Sequence, residues 1–326
     1  MKSKSSQTST DRPTAGQAGS ARHVSTFADF LASERKWLLL KGDCIELMPT
    51  LPAKSMDFSV FSPPFPSLFS YTSEMCDIGN NEDLRGEAKL HMSWFYKQLA
   101  RILKPGRVCV VHVMQIPGLA RNGEKGTFDF RGLNIRLGQR AGLTYQYDWL
   151  VPKNPQAQAI RTHSHKLQFA SLRRDRAITC GAMGDYLIKF IAPGDNAVPI
   201  NGNDVSNNEW IDWAEAAWYG IKETNTLNVK EGRGGDDVKH ICPLQLDVIK
   251  RLVKLYTNPG EVVFSPFAGI GSEGYESIKH GRRFVGCELK DEYFAAAEKN
   301  LTRAQAACVE QERTLWDAAG EHGQWP

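Results

Sequence analysis

Residues 261–288 read EVVFSPFAGIGSEGYESIKHGRRFVGCE, and this stretch decides the fold class. It begins with a short apolar run, turns at Gly269 and Gly271, continues with a helical pattern, and closes with a second apolar run that ends in Glu288. A strand, a glycine turn, a helix and a strand in this order predict a parallel α/β sheet with crossover helices. Such a turn lets the backbone approach a ligand, and an acid after the second strand can bind ribose hydroxyls. On its own, the G-x-G turn is equally typical of other α/β sheets.

The same alternation extends through most of the chain. Further strands are predicted over 37–40, 56–61 and 107–113, and helices over 84–103, 243–256 and 291–311. The middle of the chain is richer in Gly, Asn, Pro and Arg and has few clear periods, although strand patterns occur at 143–150 and 186–191. We therefore expect four parts: a disordered tail over 1–26, one folded domain over 27–315, an insertion within about 117–238 of that domain, and a frayed C-terminus over 316–326.

Charge and cysteine content narrow the function classes. The 326-residue chain has a net charge of +3. The first 25 residues account for it, with four basic residues and one acidic residue, so evidence for nucleic-acid binding must come from a local patch. The seven cysteines include no C-x-x-C pair, which argues against disulfides and a structural zinc site. No apolar run could span a bilayer and no signal-peptide pattern is present, so we expect a cytoplasmic protein without a membrane partner.

A second motif, Ser62-Pro63-Pro64-Phe65, follows the apolar run 56–61. Proline cannot continue a central strand, so the chain must turn there. The Ser62 hydroxyl and the Pro63 carbonyl are hydrogen-bond acceptors, and Phe65 adds an aromatic face. Two acceptors and a ring suit the amino edge of a flipped-out base. Without the glycine turn, the motif would be more typical of a plain turn at the end of a strand.

Together the two motifs resemble the S-adenosylmethionine-dependent DNA amino-methyltransferases, which modify adenine N6 or cytosine N4. In that family, [SDN]-P-P-[YF] is the catalytic loop and F-x-G-x-G holds the methyl donor. The resemblance covers about 37–301 and is closest to the β class, because the catalytic motif precedes the donor loop. It implies a circularly permuted, Rossmann-like methyltransferase fold of the α/β class, with an inserted target-recognition region.

The resemblance also implies which residues form the site. The catalytic residues would be Ser62, Pro63, Pro64 and Phe65. Among the cofactor-binding residues, Asp43 would lie near the donor's adenine and Glu288 would bind its ribose. The full cofactor set would be Asp43, His240, Pro243, Ser265, Phe267, Ala268, Gly269, Gly271, Ser272 and Glu288. Many family members have Asp where this chain has Ser265, so a hydroxyl replaces a charge there. The mechanism needs no metal.

The segment 151–180 carries a basic patch in an otherwise neutral chain, with six basic residues against one acidic residue. Lys and Arg bind phosphates, so the patch predicts contact with double-stranded DNA, although a solvated basic loop is the alternative. The predicted DNA-binding residues are Lys153, Arg161, His163, His165, Lys166, Arg173, Arg174 and Arg176. Downstream, an aromatic cluster is predicted to pack in the core, with a homodimer surface as the alternative: Trp210, Trp213, Trp218 and Tyr219.

The resemblance implies an enzyme that flips its target base, stacks it on Phe65 and methylates its amino nitrogen. Within the family, serine at the first motif position points to cytosine N4, whereas Asp or Asn points to adenine N6. The chain as a whole resembles compact solitary methyltransferases of phages and bacteria, among which adenine modification is common. We therefore expect adenine N6, with cytosine N4 as the alternative. An RNA methyltransferase, a protein-glutamine methyltransferase and an inactive DNA-binding module are the rival functions.

Overall fold

The computed structural model describes residues 26–66, 86–117, 126–162, 172–173, 175–177, 181–227 and 243–321, with side chains left out at 159–162 and 311–321. The predicted disordered tail lies outside these ranges apart from Thr26, which caps the first helix through its side chain. Within the described ranges, no helix is both long and apolar enough to cross a membrane.

A seven-stranded sheet forms the centre of the protein, in the order β1-β9-β8-β2-β3-β7-β6. Its strands are β1 (Trp37–Lys41), β2 (Met56–Phe61), β3 (Leu103–Met114), β6 (Thr144–Val151), β7 (Asp185–Ile191), β8 (Val262–Ser265) and β9 (Arg283–Glu288). A separate pair consists of β4 (Ile116–Pro117) and β5 (Thr127–Phe128). The first five strands in the sheet order, β1, β9, β8, β2 and β3, pair in parallel, which confirms the predicted parallel unit. Strand β7 is antiparallel to both of its neighbours, β3 and β6.

Helices cover both faces of the sheet and bury a hydrophobic core on each. They are α1 (Phe27–Ala32), α2 (Cys44–Leu47), α3 (Glu87–Ile102), α4 (Phe130–Arg140), α5 (Pro155–Thr162), α6 (Asn207–Trp213), α7 (Leu246–Tyr256), α8 (Ser272–Lys279) and α9 (Asp291–Glu321), with a 3₁₀ turn at Met48–Thr50. Helices α3 and α4 pack on one face, and α7, α8 and α9 on the other. Helix α7 shows why: its buried residues are spaced to form one apolar stripe, at Val248, Ile249, Leu252 and Val253.

The predicted insertion is only partly separate from the sheet. Strands β6 and β7 come from the range 117–238, yet β7 pairs with β3 and β6 pairs with β7, so both complete the central sheet. Trp149 and Val151 of β6 and Leu187, Ile188 and Phe190 of β7 are buried, so these strands are part of the sheet and not of a separate unit. At the other end, α9 continues to Glu321 and therefore extends into the segment 316–326 that we expected to be frayed. Its Ala, Glu and Gln residues have high helix propensity.

The aromatic cluster divides between core and surface. Trp213 and Trp218 are buried in the core, and the Trp218 indole N–H donates to the Trp213 carbonyl at 3.1 Å. This confirms core packing for these two residues. Trp210 and Tyr219 are exposed by 62% and 75%, so the homodimer surface stays a prediction.

Charged residues hold the edge of the sheet at which β2 and β8 begin. The Asp57 carboxylate lies 2.5 Å from the Lys104 ammonium, and it accepts a hydrogen bond from the Val262 backbone N–H at 2.9 Å. Arg107 is buried between Asp57 and Glu261 and pairs with both. These ion pairs stabilise the amino ends of the parallel strands. The carboxyl ends of the strands, on the opposite side of the sheet, are the place where ligands bind in such folds.

Candidate active site

The parallel strands place the predicted site residues side by side at their carboxyl ends. Asp43 follows β1, Glu288 ends β9, Ser265 ends β8 and Ser62 follows β2. The pairing fixes their order, because Lys41 is opposite Glu288, Ser265 is opposite Gly286, and β2 pairs directly with β8. The sheet therefore brings the glycine turn and the Ser-Pro-Pro-Phe motif onto neighbouring strands, although they are about 200 residues apart in the sequence.

The glycine turn between β8 and α8 has two residues with left-handed backbone. Gly269 has φ of +53° and Gly271 has φ of +85°, both in a region that favours glycine. A Cβ at Gly271 would lie 3.3 Å from Ala297, so this glycine allows α9 to pack closely. A Cβ at Gly269 would meet nothing within 4 Å and would enter open space. Gly269 therefore leaves room for a ligand against the backbone.

Glu288 is held by the turn that it faces. Its two carboxylate oxygens accept hydrogen bonds at 2.8 Å from the backbone N–H groups of Gly269 and Lys290. Burial raises the pKa of the Glu288 carboxyl to about 7, against the opposing effect of these hydrogen bonds and of Lys41. The carboxylate is thus fixed in orientation, and its remaining lone pairs can accept hydrogen bonds from ribose hydroxyls.

Two buried hydroxyls flank the glycine turn, Ser265 Oγ and Ser272 Oγ, and neither has a hydrogen-bond partner among the residues that the structure describes. The open space at Gly269, between the glycine turn and Glu288, is the cradle of the site. Buried polar groups are normally paired, so two hydroxyls that lack partners beside this cradle fit a polar ligand. Phe267 packs against Phe61 of β2, with ring centroids 5.9 Å apart. The backbone N–H of Ala268 donates to the Cys287 carbonyl at 2.9 Å, which ties the turn to β9.

Besides Glu288, three predicted cofactor residues lie outside the glycine turn in the sequence: Asp43, His240 and Pro243. Asp43 lies at the N-cap of α2, where its carboxylate accepts from the Ile45 N–H at 2.9 Å. Pro243 is half-buried shortly before α7, and His240 lies outside the described residues. The structure therefore groups Asp43, Glu288 and the residues of the glycine turn.

The catalytic motif follows β2 directly. Ser62 and Pro64 are half-buried, and Pro63 is buried. The Phe65 ring is 7% exposed and packs against Phe130, with centroids 5.5 Å apart. Stacking of a base on Phe65 stays a prediction, and it would require this ring to become more accessible.

A polar network that the sequence did not predict surrounds Ser62. The Ser62 hydroxyl lies 3.0 Å from Nδ1 of His112 on β3, and His112 Nε2 lies 2.9 Å from the Asp185 carboxylate on β7. Lys153, after β6, pairs with the same carboxylate oxygen at 2.7 Å. A histidine within the buried run of β3 was the only sequence signal for this network.

Lys153 therefore differs from the DNA contact that we expected. Its side chain is only 8% exposed and is engaged with Asp185, because it lies at the end of β6 beside the start of β7. Arg173 and Arg176 lie in exposed positions. The other residues of the basic patch, Arg161, His163, His165, Lys166 and Arg174, have side chains outside the described set. Across the part of the chain that the structure describes, no group of three His, Cys, Asp or Glu residues could hold a metal ion.

Comparison with known proteins now decides the family. The model of the N6_N4_Mtase family, described as DNA methylase, matches residues 56–299, which include both motifs and the strands between them. The chain belongs to the N6/N4 DNA methylase family. The methyl donor of this family is S-adenosylmethionine, and the open cradle, the oriented carboxylate and the unpaired hydroxyls fit it. The resemblance inferred from the two motifs is confirmed.

Individual relatives agree with this assignment. The type II methyltransferase M.BamHI of Bacillus amyloliquefaciens is 26% identical over 258 residues, which are 77% of this chain and 54% of M.BamHI. The chain spans about half the length of the curated relatives it matches.

Solved structures show the fold. TTHA0409 of Thermus thermophilus, in complex with S-adenosyl-L-methionine, has a TM-score of 0.60 at 19% identity, covering 82% of this chain and 95% of that one. The PvuII DNA methyltransferase, described as cytosine-N4-specific, has a TM-score of 0.56 at 17% identity, covering 81% and 86%. The α/β methyltransferase fold is therefore confirmed.

Proposed function

We propose that this methylase transfers a methyl group from S-adenosylmethionine to the exocyclic amino group of a base in double-stranded DNA. The observation that carries the proposal is the junction of β2 and β8. There the Ser-Pro-Pro-Phe motif and the glycine turn follow two paired strands, and the ring centroids of Phe61 and Phe267 are 5.9 Å apart. A base amino group at Ser62 would therefore lie beside a donor in the cradle.

On the donor side, the chain's residues orient and do not react. Bound S-adenosylmethionine supplies an electrophilic methyl group on a sulfonium. Glu288 would hold the ribose, Gly269 would leave the space, and the unpaired hydroxyls of Ser265 and Ser272 would bind polar atoms of the donor. Fixing the donor beside the base converts a bimolecular step into an effectively unimolecular one.

On the base side, Ser62 and the Pro63 carbonyl would accept hydrogen bonds from the amino group. The lone pair of an exocyclic amine is delocalised into the ring, so the planar nitrogen is a poor nucleophile. Two acceptors favour a tetrahedral nitrogen whose lone pair would attack the methyl group in line. The methyl–sulfur bond would break as the nitrogen–methyl bond forms, S-adenosylhomocysteine would leave, and the nitrogen would then lose one hydrogen as a proton. The base must first leave the duplex, which costs a few kcal/mol.

For the target base, we propose cytosine N4. The expectation of adenine rests on the overall character of the chain, and no contact among the described residues of the site adds to it. Within the family, serine at this position favours cytosine N4, and the Ser62 hydroxyl is part of the site network. Adenine N6 is the second candidate, because a hydroxyl and a carbonyl can accept from either amino group.

For the DNA surface, we propose the basic segment between β6 and β7. Arg173 and Arg176 are exposed there, and Arg161, His163, His165, Lys166 and Arg174 belong to the same stretch. Lys153 is left out because Asp185 engages it. Basic side chains of this segment would bind phosphates of the DNA backbone.

Mass spectrometry of nucleosides tests the function and the base together. Plasmid DNA would be treated with the protein and S-adenosylmethionine, digested and compared with DNA treated with the Ser62→Ala variant. We expect N4-methylcytosine only with the wild-type protein. N6-methyladenine would overturn the choice of base. The absence of both products, with labelled methyl groups found in RNA instead, would overturn the proposed substrate.

A further inference from the structure

Among the described residues, the Ser62 side chain is hydrogen-bonded to one residue, His112. Its hydroxyl lies 3.0 Å from the His112 Nδ1 atom and 3.3 Å from the His112 carbonyl oxygen. Both of these atoms can accept the hydroxyl hydrogen. The imidazole is nearly buried, with 12% of the side chain exposed, and its ladder partner on β7 is the apolar Leu187. An apolar residue would pack at this position without the cost of burying a polar ring.

Asp185 determines which imidazole nitrogen carries the hydrogen. Its carboxylate lies 2.9 Å from His112 Nε2 and has no hydrogen to donate while it is ionised. The Nε2 atom must therefore donate, which leaves Nδ1 of the neutral ring as an acceptor. An acceptor at Nδ1 directs the Ser62 hydrogen inward, so the lone pairs of the hydroxyl oxygen face away from His112.

Lys153 supports this arrangement. Its ammonium lies 2.7 Å from the same oxygen of Asp185. Burial would raise the pKa of the Asp185 carboxyl, but His112 and Lys153 outweigh burial and hold that pKa below its ordinary value. Among the described residues, these two are the charged or titratable partners of Asp185, and the positive charge of Lys153 balances the carboxylate.

We propose that His112 and Asp185 are positioning residues, which hold the Ser62 hydroxyl as a hydrogen-bond acceptor towards the target amino group. The inference rests on the proposed function, in which Ser62 accepts from that group. A hydroxyl free to rotate would present its hydrogen to the amino hydrogens for part of the time, and this would oppose the tetrahedral geometry. His112 and Asp185 thereby fix the orientation of the Ser62 hydroxyl before the base binds.

NMR can test the hydrogen positions on His112 independently of methylation activity. Protein labelled with ¹⁵N-histidine would be examined at mildly alkaline pH, and the His112 signals would be assigned by their loss in His112→Asn. We expect hydrogen on Nε2 and none on Nδ1. In Asp185→Ala with Lys153→Met, which removes both charges together, we expect a mixture of tautomers. Hydrogen on Nδ1 in the wild-type protein would overturn the inference.

Single-turnover methylation of DNA tests the consequence. His112→Leu should lower the methyl-transfer rate by about 10- to 100-fold, because the reacting group is misplaced, while the affinities for S-adenosylmethionine and DNA stay unchanged. His112→Asn offers an amide oxygen near the Nδ1 position and should recover most of the rate. Leu187→Met, a volume-conserving change on the paired strand, is the control and should not alter the rate.

The two failures can be told apart. If the wild-type protein methylates DNA and His112→Leu reacts at the same rate, the inference is wrong and the proposed function stands. An Asn variant as slow as the Leu variant would also overturn the inference. If the wild-type protein transfers no methyl group to DNA, the proposed function fails, and the histidine tautomer still decides whether the positioning arrangement exists.

Discussion

Replacement of Glu288 by Gln changes the donor site without changing its shape. Both oxygens of the Glu288 carboxylate accept a backbone N–H at 2.8 Å, one from Gly269 and one from Lys290. Glutamine has one oxygen and one NH₂ group, so one of these backbone N–H groups would face another donor. The ribose hydroxyls would also lose a charged acceptor. Both effects should weaken binding of S-adenosylmethionine.

The size of the effect follows from these contacts. A hydrogen bond to a charged group contributes ~1.5–3 kcal/mol, so affinity should fall by about 10- to 150-fold in Glu288→Gln. The pH dependence should change as well, because the pKa of Glu288 is about 7 and hydroxyl donors favour the carboxylate. Protonation should therefore weaken binding to the wild-type protein by roughly tenfold from about pH 8 to about pH 6. The Gln variant should lose this dependence.

Isothermal titration calorimetry with S-adenosylmethionine at both pH values measures the two effects. Glu276→Gln is a matched control, since Glu276 is a buried glutamate of α8 whose carboxylate faces Lys279 and His280. It should bind the donor as the wild-type protein does. Wild-type affinity in Glu288→Gln at the higher pH would refute the assignment of Glu288 to the ribose.

Three further predictions concern the cradle, the base and the DNA. Gly269→Ala and its control Gly281→Ala both place a Cβ at positive φ in open space, so each should destabilise the fold by ~1–2 kcal/mol. Calorimetry should show weaker donor binding only for Gly269→Ala, because Gly281 lies outside the glycine turn. Phe65→Leu keeps an apolar contact with the core but loses base stacking worth ~1–3 kcal/mol, so the methylation rate should fall while donor affinity stays constant; an unchanged rate would exclude stacking. Changing Arg173 and Arg176 to Gln should reduce the salt dependence of DNA binding by about one unit of slope per lost phosphate contact; an unchanged slope would place the DNA surface elsewhere.

Local patterns predicted the parts of the site that depend on local backbone. The strand, glycine turn and helix around Gly269 are contiguous, so the local pattern predicted the turn and the acid at Glu288, whereas their use for a methyl donor followed from the resemblance. The Ser62 motif could be placed at a strand end because its prolines stop the ladder. The sequence could also predict that both lie at one edge, since parallel strands share their carboxyl edge.

The network beside Ser62 depends on pairing that spacing does not contain. His112 and Asp185 are 73 residues apart, and only the antiparallel register of β3 and β7 brings them together. The register of β6 and β7 explains Lys153 in the same way. A count of charges places this residue in a basic patch, but its position after β6 places it beside a buried carboxylate. Charge counts do not distinguish a buried ion pair from an exposed phosphate contact.

We propose that Ser62, beside the donor cradle, directs a methyl group to a base amino group in DNA. Single-turnover transfer from S-adenosylmethionine with a tritiated methyl group to duplex DNA, measured for the wild-type protein and for Ser62→Ala, tests it most directly. We predict label on a base amino nitrogen with the wild-type protein. With Ser62→Ala, we predict a large loss of rate and unchanged donor affinity. Equal rates for the two proteins, or label recovered only in RNA or protein added as competitors, would contradict the claim.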